Sequence, residues 1–267
     1  MIKINQLSID IGKKHIINNV STEIKKGAIT AIIGPNGAGK STLLNAATRL
    51  IDVTKGTVEL NGTEITKLKS DQVARQLAVL KQSNHTNLKL SVRDLVNFGR
   101  FPYSKGRLTQ EDIGIIDESL DYMGLTSLQD TYLDELSGGQ RQRAFIAMTL
   151  AQDTDYIFLD EPLNNLDMKH SVQMMQLLRR LVREKQKTIV IVIHDINFAS
   201  CYADYIVAMK DGEILLDGPK DSVITPEALK KVYDMDINIE CIFGQQICVY
   251  FDDEKTVDDF VREAQLI

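Results

Sequence analysis

Apolar positions follow two rhythms along this chain. Near the start, Ile2, Ile4, Leu7, Ile9 and Ile11 mostly alternate with polar residues, and Ile29–Ile33 is a continuous run rich in β-branched side chains. Alternation predicts half-buried strands, and the continuous run a strand covered on both faces. Residues 40–50 switch to helical spacing, with Leu43, Leu44, Ala47 and Leu50 on one side. Residues 56–62 read as a strand ending in an Asn61-Gly62 turn. Residues 90–151 are dominated by helical patterns, and Ser91 with Asp94 and Thr109 with Asp112 have the spacing of helix-start boxes. Buried strands return at 156–159 and 188–193, around an amphipathic helix carrying Met174, Leu177, Leu178 and Leu181. Strands alternating with helices predict an α/β fold with a largely parallel sheet, here with an inserted helical lobe at about 88–150. Residues 225–267 read as a small mixed tail, with 237–251 as a hairpin closing the fold.

The loop between the buried run and the first helix is Gly34-Pro35-Asn36-Gly37-Ala38-Gly39-Lys40-Ser41-Thr42. A triphosphate is held well by backbone N–H groups at a helix start plus one cation. Strand, glycine loop and helix are the context such a site requires, with Lys40 for the β- and γ-phosphates, Ser41 for Mg²⁺ and Thr42 for the α-phosphate. Asp160 and Glu161 end an apolar strand, and His194 ends the next. Ligands in open α/β sheets gather at the carboxyl ends of strands, so all three should face the loop. Asp160 is assigned to Mg²⁺, Glu161 to activation of the attacking water, and His194 to the γ-phosphate. The other histidines, His15, His85 and His170, carry no such argument.

A second glycine-rich segment, Leu136-Ser137-Gly138-Gly139-Gln140, fits an ordinary capping box and is also a helix-start anion site. Phosphoryl transfer gains from groups supplied in trans, so a second chain could bring this segment to the first chain's phosphates.

Bulk properties narrow the setting. The 267 residues are 43% hydrophobic and 25% charged, which is ordinary globular composition. A net charge of −6 gives no global basic footprint for nucleic acid. Cys201, Cys241 and Cys248 lack metal spacing and read as reduced thiols. No apolar run is long enough to span a bilayer, and Met1-Ile2-Lys3-Ile4-Asn5 lacks the apolar region of a signal peptide. A cytoplasmic protein is expected, reaching a membrane only through a partner.

These motifs resemble those of the ATP-binding cassette (ABC) ATPases over about residues 1–235. Residues 34–42 look like the Walker A motif, 156–162 like Walker B, and 136–140 are identical to the family signature. Gln82 sits where the family has its Q-loop, Asn165-Leu166-Asp167 looks like the D-loop and His194 like the switch histidine. The resemblance implies a P-loop NTPase (RecA-like) core with an antiparallel β subdomain. Residues 1–235 would form the ATPase domain and 236–267 a tail packed on it. It implies ATP and Mg²⁺ as ligands, with Ser41, Gln82 and Asp160 at the metal and Glu161, His194 and Gln82 in catalysis. Two cassettes would meet head to tail, each ATP lying between residues 34–42 of one chain and Ser137, Gly138, Gly139 and Gln140 of the other. Asp167 would link the two sites, and Gln82 would couple them to a membrane partner.

A narrower resemblance, to cassettes of bacterial iron(III)-siderophore importers, rests on Gly99-Arg100-Phe101-Pro102-Tyr103, Ala147-Met148, Ala151-Gln152-Asp153-Thr154 and the segment 194–199. Residues 160–167 are most like the petrobactin type. It implies an ATPase homodimer on the cytoplasmic membrane face, permease subunits, and an extracellular siderophore-binding protein acting indirectly. Haem and cobalamin importers share several of these motifs, and a soluble iron–sulfur assembly ATPase is also short and single-cassette. One position departs from the family: Ile11 stands where an aromatic side chain usually stacks on adenine, which implies weaker nucleotide affinity and poorer base discrimination.

Overall fold

The computed structural model describes residues 1–82, 88–164 and 166–251. His85, Asn165 and residues 252–267 lie outside them. The chain runs β1 (Ile2–Ile11), β2 (Lys14–Ile24), β3 (Ile29–Ile33), α1 (Lys40–Ala47), β4 (Lys55–Leu60), β5 (Thr63–Glu64), α2 (Ser70–Ala74) and β6 (Leu77–Leu80). Four helices follow: α3 (Val92–Asn97), α4 (Phe101–Ser104), α5 (Gln110–Tyr122) and α6 (Gly138–Ala151). The chain then returns through β7 (Tyr156–Asp160), α7 (Met168–Lys185), β8 (Thr188–Val192), α8 (Ile196–Tyr202), β9 (Tyr205–Lys210) and β10 (Glu213–Pro219). It closes with α9 (Lys220–Val223), α10 (Pro226–Tyr233) and the hairpin β11 (Asn238–Ile242) and β12 (Gln245–Val249).

The larger sheet has the order β10-β9-β3-β8-β7-β6 and is parallel except for the β10 edge. Successive side chains of its central strands enter two different cores, which is why those strands read as unbroken apolar runs. Ile29, Ala31, Ile33, Ile157, Leu159, Ile189 and Ile191 pack with α7 and the helical segment. Ile32, Phe158, Val190 and Val192 pack with α1 and with the antiparallel sheet β2-β1-β4-β5. This is the mainly parallel sheet with an antiparallel subdomain and a helical insertion.

Local chemistry explains the details. Alternation in β1 slips by one residue between Ile4 and Leu7, and a bulge absorbs the slip, with Gln6 at φ +47°. The boxes at Ser91 and Thr109 cap α3 and α5 as predicted. Asp112 does more than cap: its Oδ1 accepts from buried Arg100 Nε at 2.8 Å, and Arg100 Nη1 donates to Ala151 O at the end of α6 at 2.9 Å. The first helix is shorter than expected. It stops at Ala47 because Arg49 turns left-handed (φ +60°) and Leu50 N–H bonds back to Asn45 O, which turns Leu50 outward. In the tail, Ile237 and Cys248 join the core that contains Ile29, and Asn197 of α8 bonds both the N–H and the carbonyl of Cys248.

Candidate functional site

Four neighbouring parallel strands, β3, β8, β7 and β6, end at one edge of the larger sheet. The residues that follow them are the glycine loop, His194, Glu161 and Gln82. The loop starts hard against β9: a Cβ on Gly34 (φ +141°) would stand 2.0 Å from the Met209 carbonyl oxygen. Only glycine fits that approach. Asn36 and Gly37 are exposed at the loop tip. No side chain caps α1, and no acidic residue lies in its first turn, so its opening amides are left to an anion.

Lys40 is buried, and its Nζ donates to the carbonyls of Gly34 at 2.9 Å and Pro35 at 2.8 Å. Burial lowers its pKa, while Glu161 and Asp160 pull the other way. Ser41 Oγ donates to Asp160 Oδ1 at 2.8 Å. Burial raises the Asp160 pKa, and the Ser41 bond opposes that shift.

The strand ends at Asp160, and Glu161 turns left-handed with φ +51°. Glu161 is the hub of the edge. His194 Nε2 lies 2.5 Å from its Oε1, and the Gln82 and Asn164 amides each donate to its Oε2 at 2.5 Å. The structure thus brings together Lys40, Ser41, Asp160, Glu161, Gln82 and His194.

Ser137, Gly138, Gly139 and Gln140 are placed elsewhere, at the start of α6. Ser137 Oγ accepts from Gln140 N–H at 3.3 Å, and Gln140 Oε1 accepts from Ser137 N–H at 2.9 Å. Among the described residues no hydrogen bond or ion pair joins this segment to residues 34–42. Asp167 caps α7. The amide of His170, then its ring, hold the Asp167 carboxyl below its ordinary pKa.

Three residues escaped the sequence reading. Asn164 had no signal beyond lying near Glu161. Tyr233 ends α10, and its buried hydroxyl lies by the Gly34 backbone. Burial pushes its pKa up to about 12. His170, for which the sequence carries no strand-edge argument, sits between Asp167 and Gly139. Ile11, at the end of β1, is 58% exposed, and His15 pairs with Asp10 at 2.5 Å.

A family model described as ABC transporter matches residues 17–164. The chain belongs to that family. The cassette is 57% identical to the petrobactin import ATP-binding protein YclP of Bacillus subtilis (strain 168), over 94% of this chain and all of that one. It is 49% identical to the petrobactin import ATP-binding protein FatE of Bacillus anthracis, over 90% of this chain and 96% of that one. Among solved structures, a dimeric post-hydrolysis state of an ATP-binding cassette bound to ADP and Pi superposes with a TM-score of 0.72. That match has 31% identity and covers 82% of this cassette and 99% of the other. Among the described residues no helix of the cassette is long and apolar enough to cross a membrane.

Proposed function

We propose that this cassette hydrolyses ATP to energise a bacterial importer of iron(III)-siderophore complexes, of the petrobactin type. It would work as a homodimer on the cytoplasmic face of the membrane, bound to permease subunits that receive cargo from an extracellular binding protein. The convergence of Lys40, Asp160, Glu161, Gln82 and His194 at one sheet edge carries the ATPase part of this reading. The names of the relatives at 57% and 49% identity support the cargo class. Residues 1–235 would act as the ATPase domain, with the tail packed on it.

Gly34, Pro35, Asn36, Gly37, Ala38 and Gly39 wrap the phosphates, and Thr42 adds a hydroxyl donor. Lys40 exchanges the neutral carbonyls of Gly34 and Pro35 for phosphate oxygens, a stronger charge-assisted pairing. Ser41, Asp160 and Gln82 offer oxygen donors only, a hard set suited to Mg²⁺. When bound there, Mg²⁺ neutralises charge building on the phosphate oxygens. Glu161 orients the attacking water and takes its proton, with His194 and Gln82 fixing the carboxylate. Ser137, Gly138, Gly139 and Gln140 of a second cassette complete the cage, and Asp167 bridges the two sites. Transport requires that ATP favour the closed dimer over the open one, since equal affinity would shift nothing.

Replacing Glu161 by Gln should slow steady-state phosphate release by roughly 10²–10⁴-fold and accumulate an ATP-bound dimer. Rapid turnover by that variant refutes the base assignment. Uptake of labelled ferric petrobactin, other ferric siderophores, haem and cobalamin in cells lacking the chain tests the cargo. Loss of ferric siderophore uptake alone is the expected result, and loss of haem or cobalamin uptake instead would overturn it.

A further inference from the structure

Asp167 and Gly139 belong to the starts of two different helices, α7 and α6, and one side chain touches both. His170 lies in the first turn of α7. Its backbone N–H donates to Asp167 Oδ1 at 2.8 Å, and its Nδ1 lies 2.7 Å from the same oxygen. A carboxylate can only accept, so Nδ1 carries the proton of that bond. The ring also meets α6. A Cβ built on Gly139 would stand 3.1 Å from both Cγ and Cδ2 of His170 and 3.5 Å from Nε2. The imidazole therefore occupies the space that a larger residue at 139 would need. Beside this contact, α6 and α7 part around a half-open groove of about 260 Å³, lined by Gly139 and Arg143 on one side and by Leu166, His170, Gln173 and Met174 on the other. The ring bridges Gly139 and Asp167.

We infer that His170 is a positioning residue, holding the Ser137-Gly138-Gly139 helix start in a fixed relation to Asp167 so that both meet a second cassette as one surface. This rests on the reading that those residues face a sister chain. His170 itself need not touch nucleotide; it acts through Gly139 and Asp167. Its effect should therefore fall on association between cassettes and spare the binding of nucleotide to one cassette.

Two substitutions separate the contacts. His170→Phe keeps a ring against Gly139 and gives up the bond to Asp167. His170→Asn keeps a side-chain donor near Asp167 and empties the space beside Gly139. His170→Ala loses both. Each is introduced into the full-length chain carrying Glu161→Gln. Nucleotide binding is measured with a fluorescent ATP analogue, and ATP-driven association by sedimentation velocity. Nucleotide affinity should stay within about twofold of the parent, while association weakens roughly tenfold in His170→Ala and less in the other two. Unchanged association in His170→Ala overturns the inference alone. A loss of association that merely tracks lost nucleotide affinity also overturns it, because that is general damage. A parent chain that stays monomeric in ATP overturns the dimer reading first, and this inference with it.

Discussion

Two glycine-rich helix starts in this molecule are finished in opposite ways. The start of α1 has no side-chain cap and leads into a buried lysine, with Asp160 bonded to Ser41 one residue further on. The start of α6 is exposed at Ser137 and Gly138, and Ser137 and Gln140 bond each other's backbone. A helix start left uncapped is tolerable where an anion supplies the missing partner. The α1 site is thus assembled by its own chain, from four strands meeting at one edge. The α6 site has already satisfied part of its own need. It faces outward, so its contribution to a phosphate depends on being carried to another surface.

Breaking either start tests that contrast. The largest stability effect should come from the far end of α6, away from either start. Arg100 is buried with Asp112 and holds the last carbonyl of α6. Arg100→Ala leaves a buried charge unpaired and should lower unfolding free energy by about 3–5 kcal/mol in denaturant titrations. The Thr109 amide, then Arg100, hold the Asp112 carboxyl below its ordinary value of 3.8. A folded-state pKa below the unfolded one stabilises the fold above about pH 4, and that contribution fades as pH falls through the folded value. In Arg100→Ala this acid-side loss should shrink, as measured by melting temperature against pH.

Next in size, Lys40→Ala should weaken nucleotide binding to the single cassette by about 1.5–3 kcal/mol, read by calorimetry. Ser137→Ala should do the reverse in kind. Single-cassette nucleotide affinity should hold, phosphate release should fall, and stability should drop by about 0.5–2 kcal/mol through the lost cap. If Ser137→Ala weakened single-cassette binding as much as Lys40→Ala, the two starts would not differ as described. The smallest effect is at Ile11, which is exposed enough to accept a ring. Ile11→Tyr should tighten ATP binding by about 0.5–1.5 kcal/mol and widen the preference for ATP over GTP. No change in either quantity would remove Ile11 from the base site.

What could be read from the sequence was what lies close along the chain. The loop at 34–42, the boxes at Ser91, Thr109 and Ser137, and the buried strands are contiguous patterns with local physical causes. The edge rule for parallel sheets extended that reach to Asp160, Glu161 and His194, because it ties strand ends to one place. Contacts set only by tertiary packing stayed hidden. Nothing in the sequence near His170 says that its ring will fill the space beside Gly139, and nothing near Tyr233 points to Gly34. The helix expected to reach Leu50 failed for a local reason instead: Arg49 adopted a left-handed turn that its side chain does not advertise.

The most direct measurement mixes two defective chains, each carrying Glu161→Gln. One also carries Lys40→Ala and the other Ser137→Ala. Neither should associate in Mg²⁺-ATP alone, whereas the mixture should form a dimer holding one nucleotide, because it alone contains one site with both residues intact. A mixture that stays monomeric, while the Glu161→Gln chain by itself dimerises, would contradict a phosphate cage shared between Lys40 of one chain and Ser137 of the other.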